Sequence, residues 1–253
     1  MIFSVEERER VRDRLVEMAR ADSRVVACAL VGAEADGRAD RWSDVDVTLG
    51  VGDGVAVDEV LADWTRVLGD ELGAAHLFDL QAGSSVYRVF LLESSLQVDV
   101  SFTPQRDFGA RGPRFRLLFG HAVERPPAEP PRAQQVFGFA VHHVVRARIC
   151  IERGRAWQAE YWISGVRDEA LALACRREGL EAAYGRGLDR LSPELLGEAE
   201  HALVRSLDRG GLLRALGAAV RLLEREADGL GEEGARLARQ MQALSHPDAL
   251  AAG

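Results

Sequence analysis

The 253-residue sequence predicts an α+β fold, with a mixed β-sheet in the N-terminal half and a bundle of helices after it. Three observations predict it. Up to about residue 102, stretches with helical spacing of apolar residues exchange with short strand-like runs; after residue 132 the spacing is helical alone. Between them, His121–Arg132 contains Pro126, Pro127, Pro130 and Pro131, which extend neither a helix nor an inner strand. The strand-like runs are also short and closely spaced, as in a meander. The expected organisation is a head over 1–125, a Pro-rich linker over 126–132 and a helical bundle over 133–253.

The elements follow in order. Ser4 with Glu7 reads as a capping box, and Val5, Val11, Leu15 and Met18 keep helical spacing, predicting a helix over 5–21. The run VVACALV predicts a buried strand ending at Val31. Gly32 to Ser43 is polar with two glycines and predicts a loop or a short helix. Val45, Val47 and Leu49 alternate with Asp44, Asp46 and Thr48, the period of a half-buried strand. A helix over 57–72 and strands over 75–80, 86–92 and 96–102 complete the head. Helices are expected at 133–153, 155–179, 192–207, 209–228 and 232–243. Ser192-Pro193-Glu194 supplies an N-cap followed by proline at the first helical position.

Composition narrows the function classes. Hydrophobic residues make up 47% and charged residues 28%, as in a soluble globular protein. No apolar run is long enough for a membrane span, and the charged start, Met1 to Glu9, does not read as a signal peptide. Cys28, Cys150 and Cys175 have neither metal-ligand spacing nor an even count, which fits a reducing cytoplasm. Every basic residue is arginine. Residues 1–132 hold 23 acids against 16 arginines, a net of −7; residues 133–253 hold 17 against 16, a net of −1. An acidic head argues against binding along a nucleic-acid backbone and for a small or cationic substrate.

The chemistry concentrates in Leu30-Val31-Gly32-Ala33, a spacer over 34–43, then Asp44-Val45-Asp46-Val47. Aspartates at i and i+2 of a strand point to one face, where they repel unless a cation lies between them. A third, Asp99, sits in the apolar run Leu96-Gln97-Val98-Asp99-Val100, where a lone charge is costly. Oxygen ligands of this kind suit Mg²⁺ together with substrate phosphates. Gly32 permits close approach of a phosphate to the backbone N–H groups of the turn.

Over about residues 25–102 these motifs resemble the polymerase-beta-like nucleotidyltransferase superfamily, and the layout is most similar to the aminoglycoside and lincosamide nucleotidyltransferases. The resemblance implies a nucleotidyltransferase head with a helical tail. It also implies two Mg²⁺ ions held by Asp44, Asp46 and Asp99, and transfer of a nucleoside monophosphate, AMP from ATP as first choice, to a hydroxyl of a small molecule such as an antibiotic. Gly32, Ala33 and Asp44 would contact the nucleotide. The family usually carries Ser or Gly after the first glycine; Ala33 keeps the N–H and lacks the hydroxyl. A protein side chain as acceptor, or a catalytically silent nucleotide-binding module, are the alternatives.

In the helical half, Arg155, Trp157, Glu160, Tyr161 and Trp162 fall within two turns. In some antibiotic nucleotidyltransferases a glutamate on a tail helix is the general base, and by that resemblance Glu160 is the candidate. The helix bearing it is expected to wall the acceptor pocket; the plainer reading packs Trp157 and Trp162 into a core. Arg186, in the turn Tyr184-Gly185-Arg186-Gly187, is a candidate for a phosphate contact, although a helix stop also explains the two glycines. His142-His143 sits on a predicted helix where adjacent residues do not share a face, so no metal pair is expected. Arg116 and His121 have the spacing of a ribonuclease-toxin motif, but in a strand-like run.

Overall fold

The computed structural model describes residues 2–126 and 129–245; Met1, Pro127 and Ala128 of the linker region and residues 246–253 at the end of the range assigned to the bundle lie outside them. The chain forms an α+β structure with a six-stranded mixed sheet and a C-terminal helical region. It divides into two compact units, Met1–Glu129 and Pro130–Gly253. Among the described residues no helix is long and apolar enough to cross a membrane.

The first unit begins with α1 (Val5–Ala21), capped by Ser4, whose hydroxyl accepts from the Glu7 N–H at 3.2 Å. It continues through β1 (Val25–Val31), the one-turn α2 (Gly32–Ala35), β2 (Val45–Val51) and α3 (Val57–Leu72). Then come β3 (Ala75–Ala82), β4 (Ser85–Leu91), β5 (Gln97–Pro104) and β6 (Phe115–Phe119). The sheet order is β3-β4-β5-β2-β1-β6, with β2 and β5 parallel and every other pair antiparallel. The strand β6 adds an edge beyond the five strands expected from periodicity. Its burial is partial, so its sequence carries no clean alternation.

The two faces of this sheet differ in chemistry because side chains alternate along each strand. Val45, Val47 and Leu49 of β2 and Val98, Val100 and Phe102 of β5 are buried with Leu15 of α1 and Val60, Trp64 and Leu68 of α3. Trp64 packs edge-on against Phe102, with centroids 5.6 Å apart, and donates from Nε1 to Asp22 at 3.0 Å. The opposite face carries Asp46, Thr48 and Gly50 beside Asp99, Ser101 and Thr103, paired one to one without a register shift. It carries a small apolar cluster of Ala27, Ala29 and Phe108.

The second unit consists of α4 (Ala133–Glu152), α5 (Ala156–Arg177), α6 (Pro193–His201), α7 (Arg209–Arg225) and α8 (Gly231–Ser245). The third helix of this half stops at His201, six residues before the expected end, and its turn continues as irregular chain through Asp208, whose side chain caps α7 by accepting from Gly211 N–H at 2.8 Å. Alanines at the contacts, among them Ala140, Ala147, Ala159 and Ala174, let helix axes approach closely around Ile163, Leu216 and Leu223. Trp157 is not part of this core: it is 76% exposed, while Trp162 is half-buried. Trp157 lies in the first turn of α5, ahead of the buried positions, which start at Ala159.

Candidate active site

Asp44 lies just before β2, Asp46 within it and Asp99 directly opposite Asp46 on β5. Parallel pairing in this register forces the last two onto one face, and the i, i+2 relation brings Asp44 to the same side. One carboxylate oxygen from each lies within 4.8 Å of the other two. The ligand oxygens of an octahedral Mg²⁺, held at about 2.1 Å, lie at most about 4.2 Å apart, so a slight closure of these side chains would fit one ion. Asp46 and Asp99 are half-buried. Asp99 accepts from Gln97 Nε2 at 3.0 Å, and among the described residues no arginine pairs with it. Hard oxygen donors without a neutralising guanidinium on Asp99 are the donor set a divalent cation requires.

Burial pushes the Asp99 carboxyl above its ordinary value, the Gln97 amide opposes this, and the Asp44 charge adds to it. The folded protein binds this proton more tightly than the unfolded chain. Asp99 therefore favours folding below the ordinary carboxylate range, and that contribution is lost as pH rises through its raised value. In metal-free protein, Asp99→Asn should raise the thermal midpoint at neutral pH and leave it unchanged in acid. Thermal melts with a chelator at the two pH values test this; equal midpoints at neutral pH would contradict it.

The turn between β1 and α2 is built around Gly32. Its φ of +66° is a left-handed conformation, and a Cβ there would collide with the Asp46 carboxylate. The backbone at Gly32 thus lies close against Asp46, and the first N–H groups of α2 are those that a helix start leaves without an intrahelical acceptor. The spacer that follows is held by α1. Arg8, 5% exposed although an arginine, donates to the Asp40 carbonyl, and Arg12 pairs with Glu34 of α2. At its other end Asp40 Oδ1 accepts from the Trp42 N–H at 2.8 Å and from the Ser43 hydroxyl at 3.1 Å, one residue before Asp44. Sequence reasoning missed this brace. Arg8 and Arg12 occupy positions i and i+4 of α1, a weak signal without knowing what the helix covers.

The remaining candidates lie in the second unit. Glu160 of α5 is half-buried and accepts from Ser164 Oγ at 2.8 Å, an i to i+4 bond that holds Oε1. Tyr161 beside it is 66% exposed and stacks edge-on with Trp162 at 5.0 Å. Arg186 is exposed, ion-paired with Glu181 at 2.7 Å and set over the Tyr184 ring at 5.2 Å. Gly185 takes φ +72°, as the turn demands. His142 and His143 both face Trp162, with centroids at 5.9 and 5.0 Å.

No family model matches the chain, and no curated protein matches it. Among solved structures, the chain is similar to an aminoglycoside 6-adenyltransferase from Bacillus subtilis at 14% identity; the match covers 98% of this chain and 95% of that chain, with a TM-score of 0.37.

Proposed function

We propose that this protein is a metal-dependent nucleotidyltransferase that moves a nucleoside monophosphate, AMP from ATP as first choice, to a hydroxyl of a small molecule. The observation that carries the reading is the convergence of Asp44, Asp46 and Asp99 on one sheet face against the Gly32 turn. Asp44 and Asp46 would hold a first Mg²⁺ and Asp99, with them, a second. When bound, these ions neutralise the triphosphate and favour in-line displacement of pyrophosphate by the acceptor hydroxyl. Gly32 and Ala33 would present backbone N–H groups to phosphate oxygens, a contact that needs no side-chain hydroxyl. Ala33 therefore removes one hydrogen bond from the usual pattern and leaves the cradle in place.

Glu160 is the proposed proton acceptor for the attacking hydroxyl. Ser164 fixes one of its oxygens, and the other makes no hydrogen bond among the described residues. Glu160→Gln should lower the turnover rate about a hundredfold while nucleotide affinity changes little, because a base acts on the acceptor and not on the triphosphate. Wild-type turnover in that variant would remove Glu160 from the mechanism. Arg186 is ion-paired with Glu181.

The direct test is pyrophosphate release from each of the four nucleoside triphosphates, with and without Mg²⁺, against a panel of hydroxylated antibiotics and metabolites. Metal-dependent release that requires an acceptor supports the reading. Nucleotide binding with no release under any condition would favour a silent binding module instead.

A further inference from the structure

The face that carries the acids continues beyond them. One pleat period along β2 and β5, about 6.6 Å, stand Thr48 and Ser101, and Tyr87 of β4 is registered opposite Ser101. Next along this face of β5 is Thr103, whose hydroxyl shares a hydrogen bond with that of Ser85 at the start of β4. A cavity of about 150 Å³ opens over Thr48, Tyr87, Ser101 and Thr103, roofed by the segment that runs into β6 and lined there by Arg111 and Phe115. Sites for whole drug-sized ligands occupy about 300–1,000 Å³, so this one suits a single functional group.

Its polar atoms are unbalanced toward donors. Ser101 Oγ donates to Thr48 Oγ1 at 2.7 Å, which leaves the Thr48 proton without an acceptor among the described residues. Thr103 of the lining shares one hydrogen bond with Ser85 at 2.7 Å; when Ser85 donates, the Thr103 proton is left over for the cavity. Arg111 spends Nη2 on the Ala82 carbonyl (2.7 Å) and on Ser85 Oγ (3.0 Å), both neutral, and no carboxylate pairs with it among the described residues. Arg114, also on the rim, is by contrast paired with Asp36 at 3.7 Å. No acidic residue lines the cavity. Ser85, Ser101 and Thr103 are buried, 0 to 5% exposed, on a sheet face where apolar packing is the usual solution.

We propose that this cavity is an oxyanion subsite that receives a carboxylate or phosphate group carried by a substrate whose reacting part lies at the acids. The class of substrate follows if the site is nucleotidyl-transferring, as proposed above: a small hydroxylated acid or phosphate ester with its hydroxyl and its anion about one pleat period apart. The same chemistry is also present in the triphosphate tail of the nucleotide, and the two sources are separable.

The test is isothermal titration of the full-length protein with inorganic phosphate, in chelator and without nucleotide. Glycerol serves as the neutral control. Saturable phosphate binding is expected in the wild type and in Asp46→Asn, with affinity at least about tenfold lower in Arg111→Gln, the loss of charge-assisted hydrogen bonds. Thr48→Val, which keeps the shape and deletes a donor, should weaken it by a smaller factor. Repeating the titration with ATP present assigns the source: unchanged phosphate affinity identifies an acceptor group, and competition identifies the triphosphate tail. Absence of saturable binding in the wild type, or equal affinity in Arg111→Gln, overturns the subsite. Because no step of this measurement needs turnover, it stands or falls separately from the nucleotidyltransferase reading.

Discussion

Asp46→Asn should reduce nucleotidyl transfer by about a thousandfold or more while the protein stays folded. Asp46 is the centre of the acid group: it is paired with Asp99 across the parallel strands and pressed against Gly32. An amide keeps the shape and one acceptor oxygen but removes the charge that a divalent ion requires. Three carboxylates within 4.8 Å repel one another when no cation is present, so removing one should hold or raise the thermal midpoint in chelator. Adding Mg²⁺ at ten times its dissociation constant should stabilise the wild type by about 1.4 kcal/mol and leave the variant unmoved. Thermal melts with and without Mg²⁺, alongside a pyrophosphate-release assay, read both effects. A variant that melts early in chelator, or that retains wild-type turnover, would falsify the metal-site reading.

Gly32→Ala is expected to be nearly as damaging, although it removes no functional group. The residue has φ +66°, where an L side chain costs about 1–2 kcal/mol, and its new Cβ would occupy the space of the Asp46 carboxylate. Either the turn or Asp46 must move by a large fraction of an ångström. Misplacement on that scale should lower turnover by about a hundredfold and weaken Mg²⁺ binding in parallel. Ala33→Ser is the informative companion. It adds a hydroxyl at the turn without disturbing the backbone, and nucleotide affinity should hold or rise. Kinetics and Mg²⁺ titration of the two variants provide the check; wild-type turnover in Gly32→Ala would show that the contact between the turn and Asp46 has no functional role.

Much of this was legible along the chain. The alternation of Val45, Val47 and Leu49 with acids, and the placement of Asp99 in an apolar run, determine which residues face away from the helices, because a strand has no other way to arrange them. Ser4 and Pro193 mark helix starts that the backbone adopts. The glycine at the end of β1 signals a turn that admits no side chain. The change to helical spacing after the proline cluster determines an α+β chain with a helical second part. These are local rules, and each reads a few consecutive residues.

Tertiary structure alone decided the rest. Nothing local says that β2 pairs with β5 in the register that sets Asp46 beside Asp99, since their strands are separated by a helix and two other strands. The same pairing lines Thr48 with Ser101 and brings Arg111 over them, although Thr48 and Ser101 could have been suspected by carrying the alternation past the acids. Arg8 gave no sign of burial, because the carbonyl it serves belongs to Asp40, 32 residues away. Trp157 reads as a core residue by type and is solvent-exposed by position. The sequence by itself determined which side chains each element turns to one face, through the fixed periods of strand and helix. Which faces meet, and so which charges become neighbours, was decided by long-range packing, where the free energy comes from burying whole surfaces and is not encoded in any one segment.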